Sequence, residues 1–138
     1  NMSKYYELSE DTIKSFVDMY KKKSFFTEIK FDFIGCESQK SLIKITKIPD
    51  NYAMKLGKDL QVSINEDLFL KFDDESIDIL YEQELDKVSI NLDNGKIKML
   101  KPDVNTFSSL ISKYGFDKVS RANQVEVLSS GSDNPLEN

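Results

Sequence analysis

A chain of 138 residues, 39% hydrophobic and 31% charged, has the size and composition of one globular domain with a single core. Its formal net charge of −5 repels nucleic acid and anionic membranes on average, no apolar run approaches the roughly 20 residues that span a bilayer, and no secretion signal is visible. The absence of histidine and the single cysteine remove the commonest general base and metal ligand, every Ser-His or Cys-His pairing, and any disulfide within the chain.

Asn1 ahead of Met2 reads as the remnant of a cleaved tag, so residues 1–3 are set apart as tag remnant and N-terminal extension. Ser9 can cap a helix over 10–23, with Glu10 and Asp11 in its first turn and Ile13, Phe16, Val17 and Tyr20 at helical spacing. Lys21, Lys22 and Lys23 form a compact basic cluster, but they fall where the negative end of that helix dipole favours cations. "TEIKFDFIG" alternates Ile29, Phe31 and Phe33 with polar residues and predicts a strand, "SLIKITKI" a second. Cys36 falls at the end of the first strand and reads as a small buried side chain.

Residues 49–58 lack a sustained period and read as a loop ending at Gly57; "DLQVSIN" then predicts a third strand. Asn65 can cap the short turn "EDLFLKF", and Asp73 or Asp74 a helix over 74–88. "VSINL" and "KIKML" flank Asn94-Gly95, a pair suited to a two-residue type I′ turn that would set Asp93 opposite Lys96. Asp103 can cap a last helix to 114, with Val104, Phe107, Leu110, Ile111 and Tyr114 as its buried stripe and Gly115 as its stop. The expectation is one α+β domain over 4–116, a small twisted sheet with three main helices, and a mobile or externally held tail over 117–138.

One side chain breaks the pattern. Ile77, Leu80, Tyr81, Leu85 and Val88 share one face of the 74–88 helix, and Glu84 points near the middle of it. An ionised carboxylate there needs a partner, and Lys87, three residues on, is the nearest. Gln83 and Lys87 lie one turn apart beside it. A polar pair at i and i+4 with glutamate after the first member has the layout of HExxH, in which two histidines hold zinc and the glutamate activates water; here the stretch is "QELDK".

With that helix, the hairpin and "KPDVNTFSSLISKYG" in view, the chain resembles the putative phage metallopeptidase family, small zincin-like domains, over residues 5–116. The resemblance implies a minimal zincin-like fold. It places the zinc ligands at Gln83, Lys87 and Pro102, the last just before Asp103, and the general base at Glu84. Glutamine is a poor zinc ligand, an ammonium repels a dication and proline has nothing to coordinate with, so Glu84 alone is retained and no metal or other cofactor is expected. The carboxylates Asp73, Asp74, Glu75, Asp78, Glu82, Glu84 and Asp86 could serve a hard cation, but a helix scatters most of them around its cylinder.

Three functions follow as expectations. The first is a catalytically inactive phage protein whose fold serves as a binding or accessory module for a protein partner, with no membrane or nucleic-acid target. The second is a metal-independent or non-zinc hydrolase using Glu84 as base. The third is an acidic phage protein that engages host machinery. The resemblance implies the cytoplasm of an infected bacterium or a virion as the location.

Overall fold

The computed structural model describes residues 4–25, 27–101 and 104–130. Its main sheet has four strands: β1 (Tyr5–Tyr6), β2 (Phe31–Cys36), β3 (Ile43–Lys47) and β4 (Leu60–Ile64), in the spatial order β1-β2-β4-β3. β2 and β4 run parallel, with Phe31 opposite Leu60; β1 is antiparallel to β2 and β3 antiparallel to β4. The alternation read from sequence sets the faces: Leu60, Val62 and Ile64 are fully buried while Gln61 and Ser63 between them are half-buried. On β3, Ile43 and Ile45 enter the core and Lys44 and Thr46 do not.

Helix α1 (Glu10–Lys22) starts where predicted, because the Ser9 hydroxyl accepts the Thr12 N–H and the first turn is acidic. It buries Phe16, whose ring meets Phe31, Phe33 and Tyr81 edge-on at centroid distances of 5.2, 5.8 and 5.7 Å. Across the sheet's β1 edge, Gly35 gives room to the Tyr6 ring, since a Cβ there would lie 2.4 Å from a ring carbon. The Tyr6 hydroxyl accepts the Glu66 N–H at 2.8 Å.

Residues 50–56, read from sequence as loop, form α2 (Asp50–Leu56). It buries no side chain, so it leaves no hydrophobic period to read; its marks are Pro49 at the start and Gly57 at the end, in the left-handed region at φ 66°. Asn65 caps a 3-10 helix (Glu66–Lys71), and Asp73 caps α3 (Asp74–Leu85) by accepting the Ser76 N–H at 2.7 Å.

The α3 helix is the centre of the molecule. It packs against α1 and β3 and also against two helices that follow it, α4 (Val104–Tyr114) and α5 (Phe116–Ser130). It ends three residues short of the predicted 88: Asp86 caps it and the Lys87 N–H turns back to the Glu84 carbonyl at 3.1 Å. Val88 therefore opens β5 (Val88–Ile90), paired antiparallel with β6 (Ile97–Met99) in a second small sheet.

The hairpin turn differs from the type I′ prediction. Asn91 pairs with Lys96, leaving Leu92–Gly95 as a four-residue connection, so Asp93 and Lys96 do not face each other. The Asn91 side chain accepts the N–H groups of Asp93 and Asn94, and only Gly95 takes a positive φ, 72°. This local Asx arrangement fixes a wider loop than Asn94-Gly95 alone would have made.

Two further expectations give way at the C-terminal end. Phe107, assigned to the buried stripe of α4, is 42% exposed, while Leu110 on the same helix is buried. Residues 117–130, assigned to the tail, belong to the helix α5 that begins at Phe116, and its Val119 and Ala122 are fully buried. Gly115 at φ 92° makes the corner between the two helices. The tail beyond Ser130 lies outside the described residues.

Candidate functional site

The interior face of α3 carries the side chain singled out by sequence. Glu84 is 8% exposed. One carboxylate oxygen accepts the Ile45 N–H from β3 at 3.1 Å, and the other is ion-paired with Lys87. Burial raises the cost of the charge, and both compensations sit on the same carboxylate: a backbone donor across the core and a lysine one turn on. Both oxygens are thus engaged.

Gln83 and Lys87 do not converge as an i, i+4 pair. The amide of Gln83 faces α5 and forms a reciprocal pair of hydrogen bonds with Asn123, at 3.0 and 3.1 Å. Lys87, beyond the helix end, turns to Glu84. The carbonyl of Lys87 accepts the Leu100 N–H at 2.7 Å, which brings the end of the hairpin back beside it. Pro102 and Asp103 lie outside the described residues.

A second buried carboxylate, which the spacing argument had counted only among the scattered acids of α3, is held more tightly. Glu82 is 7% exposed and accepts Lys23 Nζ at 3.0 Å, Lys113 Nζ at 2.8 Å and the Tyr114 hydroxyl at 2.9 Å. Lys23 also pairs with Asp86. Desolvation pushes the Glu82 carboxyl up, but the hydrogen bonds from Lys113, Lys23 and Tyr114 outweigh it and hold the group below the ordinary glutamate value. For Asp86 desolvation wins over Lys23, and its pKa is raised. Desolvation and the neighbouring Glu82 charge also raise the Tyr114 phenol well above its ordinary value. Beside this network a cleft of about 310 Å³ is lined by Lys23, Glu82, Asp86, Asn105 and Ser109.

The basic cluster is thereby divided: Lys21 and Lys22 are exposed in the last turn of α1, and Lys23 turns inward to α3. The signal for Glu82 was not local, because its three donors lie 59, 31 and 32 residues away along the chain.

Two other acids of this stretch have separate tasks: Asp73 caps the helix and Glu75 pairs with Lys118 of α5. Among the described residues no three His, Cys, Asp or Glu side chains are placed to hold one metal ion.

The model of the family described as "Putative phage metallopeptidase" matches residues 2–128. The chain belongs to this family. A search of curated proteins returned no match, and neither did a search of solved structures. The zinc that the family's description and the HExxH layout imply does not fit the described positions. The Lys87 ammonium, paired with Glu84, adds a positive charge where a ligand lone pair is needed, and the Gln83 amide is already engaged by Asn123. In this phage metallopeptidase-like chain the polar side chains Gln83, Glu84 and Lys87 of "QELDK" are bonded to one another or to the scaffold.

Proposed function

We propose that this member of the phage metallopeptidase family is catalytically inactive and that its fold serves as a binding or accessory module for a protein partner. The observation that carries the reading is the placement of Glu84: a general base must reach the water it activates, and this carboxylate is buried, with each oxygen turned to an internal donor. Support for a protein partner comes from α2, which buries no side chain and leaves Tyr52, Met54 and Leu56 more than half exposed, Met54 at 81%. The infected bacterial cell and the virion are both settings in which such a module could act.

Zinc titration followed by gel filtration and metal analysis tests the first half. The expected result is no retained zinc, and one equivalent of zinc carried through the column would end the proposal. A peptidase and esterase screen tests the second reading, a hydrolase with Glu84 as base: activity abolished by Glu84→Gln in a folded protein would put that reading in its place. Capture from bacterial lysate tests the partner. A retained protein whose binding is lost when Tyr52, Met54 and Leu56 are replaced by serine supports the module. Capture insensitive to those changes and dependent instead on the acidic surface favours an acidic protein that engages host machinery.

A further inference from the structure

The two sheets of this protein touch at β3 and β6 without joining. β3 is an edge strand of the main sheet, and β6 is the hairpin strand packed beside it, yet the two belong to separate sheets. The direction of their backbone groups follows from the bonds each makes on its other side. The Asn65 N–H reaches the Leu42 carbonyl and the Ile48 N–H reaches the Asp59 carbonyl, so the even-numbered residues of this stretch face β4 and Ile43, Ile45 and Lys47 face away. In the hairpin, Asn91 bonds Lys96 and Lys87 bonds Leu100, so Ile97 and Met99 face away from β5.

At the middle of the β3 edge stands a carboxylate instead of a strand. The outward N–H of Ile45 donates to Glu84, the other oxygen of Glu84 pairs with Lys87, and Lys87 in turn holds the base of the hairpin through Leu100. Ile45, Glu84, Lys87 and Leu100 form one line of bonds from sheet to hairpin. We propose that the Glu84–Lys87 pair is a strut that keeps the β5–β6 hairpin from zipping onto the β3 edge. An edge amide satisfied by an internal charge has no bond left to offer β6, and a charged side chain placed at a strand edge is a means by which sheets are kept from extending.

The inference rests on the reading of Glu84 as a structural group. Its readout is backbone pairing, so it can fail while the zinc result stands, or hold if zinc is found on other residues. Amide hydrogen exchange and interstrand proton contacts by NMR provide the test. In the wild-type protein the Ile45 amide should be protected, with no β3–β6 interstrand contacts. In Glu84→Gln the acceptor remains and both features should persist. In Glu84→Ala, and in the double variant Glu84→Met with Lys87→Met, which removes the acceptor and both charges while keeping the volume, β6 should pair with β3. Contacts between the two strands should appear, and exchange at the Ile97 or Met99 amide should slow at least tenfold. The double variant guards against misfolding of the alanine form, since a buried ion pair replaced by apolar side chains of similar volume commonly folds. Folded variants whose β3 and β6 stay apart, or whose Ile45 amide pairs with a second copy of the chain, would overturn the strut, as would an unprotected Ile45 amide in the wild type.

Discussion

Two buried glutamates two residues apart on α3 illustrate how much a single side chain's surroundings decide. Glu84 is satisfied by one backbone donor and one lysine close in sequence; Glu82 by Lys23 just past the end of α1 and by Lys113 and Tyr114 of α4. Truncating Glu82 removes the acceptor shared by Lys113 and Tyr114, and truncating Glu84 removes the partner of Lys87 and the internal acceptor of the Ile45 amide. Glu84→Ala is expected to lower the unfolding free energy by about 3 kcal/mol in urea titration, while Glu84→Gln, which still accepts from Ile45, should cost less than half of that. A loss below about 1 kcal/mol for the alanine variant would mean either that the Ile45–Glu84 bond contributes little or that β6 replaces it, and amide exchange at Ile97 and Met99 separates the two. That Glu84 faces inward, and that Lys87 answers it, was legible from the 100° step of a helix and a three-residue spacing. Glu82 was not legible, because no periodicity within α3 announces Lys23, Lys113 and Tyr114. The same holds for Gln83, whose partner Asn123 lies on a helix that the sequence reading had assigned to the tail. Gly35 is a residue-scale constraint of another kind. A methyl there collides with the Tyr6 ring, so Gly35→Ala should cost about 1–3 kcal/mol and speed amide exchange in β1, measured in the same titration and by NMR.

At the scale of elements, what could be read was whatever buries a stripe. α1 and the alternating strands β2, β3 and β4 carry their faces in their sequence, and the structure places them within a few residues of the predicted limits. The start of "TEIKFDFIG" departs for a specific reason: the Ile29 N–H goes to the Tyr20 hydroxyl and the Lys30 N–H to Asp59, so this stretch is tied by side chains before the ladder begins at Phe31. α2 was missed because it buries nothing, and α5 because Val119 and Ala122, the fully buried side chains among its described residues, are small and too few to make a stripe in a polar stretch. The corner that lets α5 return along α3 depends on Gly115, whose N–H bonds to the Ile111 carbonyl at 2.7 Å with φ at 92°. Gly115→Ala is expected to cost about 1 kcal/mol, because a side chain disfavours that backbone region, and to weaken the Lys118–Glu75 and Asn123–Gln83 contacts together. A thermal melt unchanged within a degree would show that the corner tolerates a Cβ, which has open space around it.

For the molecule as a whole, the buried carboxylates set how it responds to acid. Glu82 and Glu66 both have depressed pKa values. In each, desolvation raises the value and hydrogen bonds overcome it: Lys113, Lys23 and Tyr114 for Glu82, and Thr12 with Ser9 for Glu66. A depressed carboxyl stabilises the fold fully above its unfolded value, about 4.3 for glutamate, and that contribution is lost as pH falls through the lower folded value. Asp86 and Asp78 have the opposite sign. Desolvation raises both, so each favours the fold below about 3.9, the ordinary aspartate value, and loses that contribution as pH rises through its folded value. Glu82 joins α1, α3 and α4 at one point and Glu66 ties the N-terminus of α1 to the 3-10 helix, so the depressed pair governs the acid limb. The urea midpoint is therefore expected to hold from pH 7 to about 5 and to fall below that. Glu82→Gln should start lower and flatten the fall, having no proton to take up. Asp86→Asn should steepen it, because it removes an opposing contribution and leaves Lys23 to Glu82 alone. If Glu82→Gln lost stability between pH 5 and 3 as steeply as the wild type, the acid response would have to reside in carboxylates outside this network.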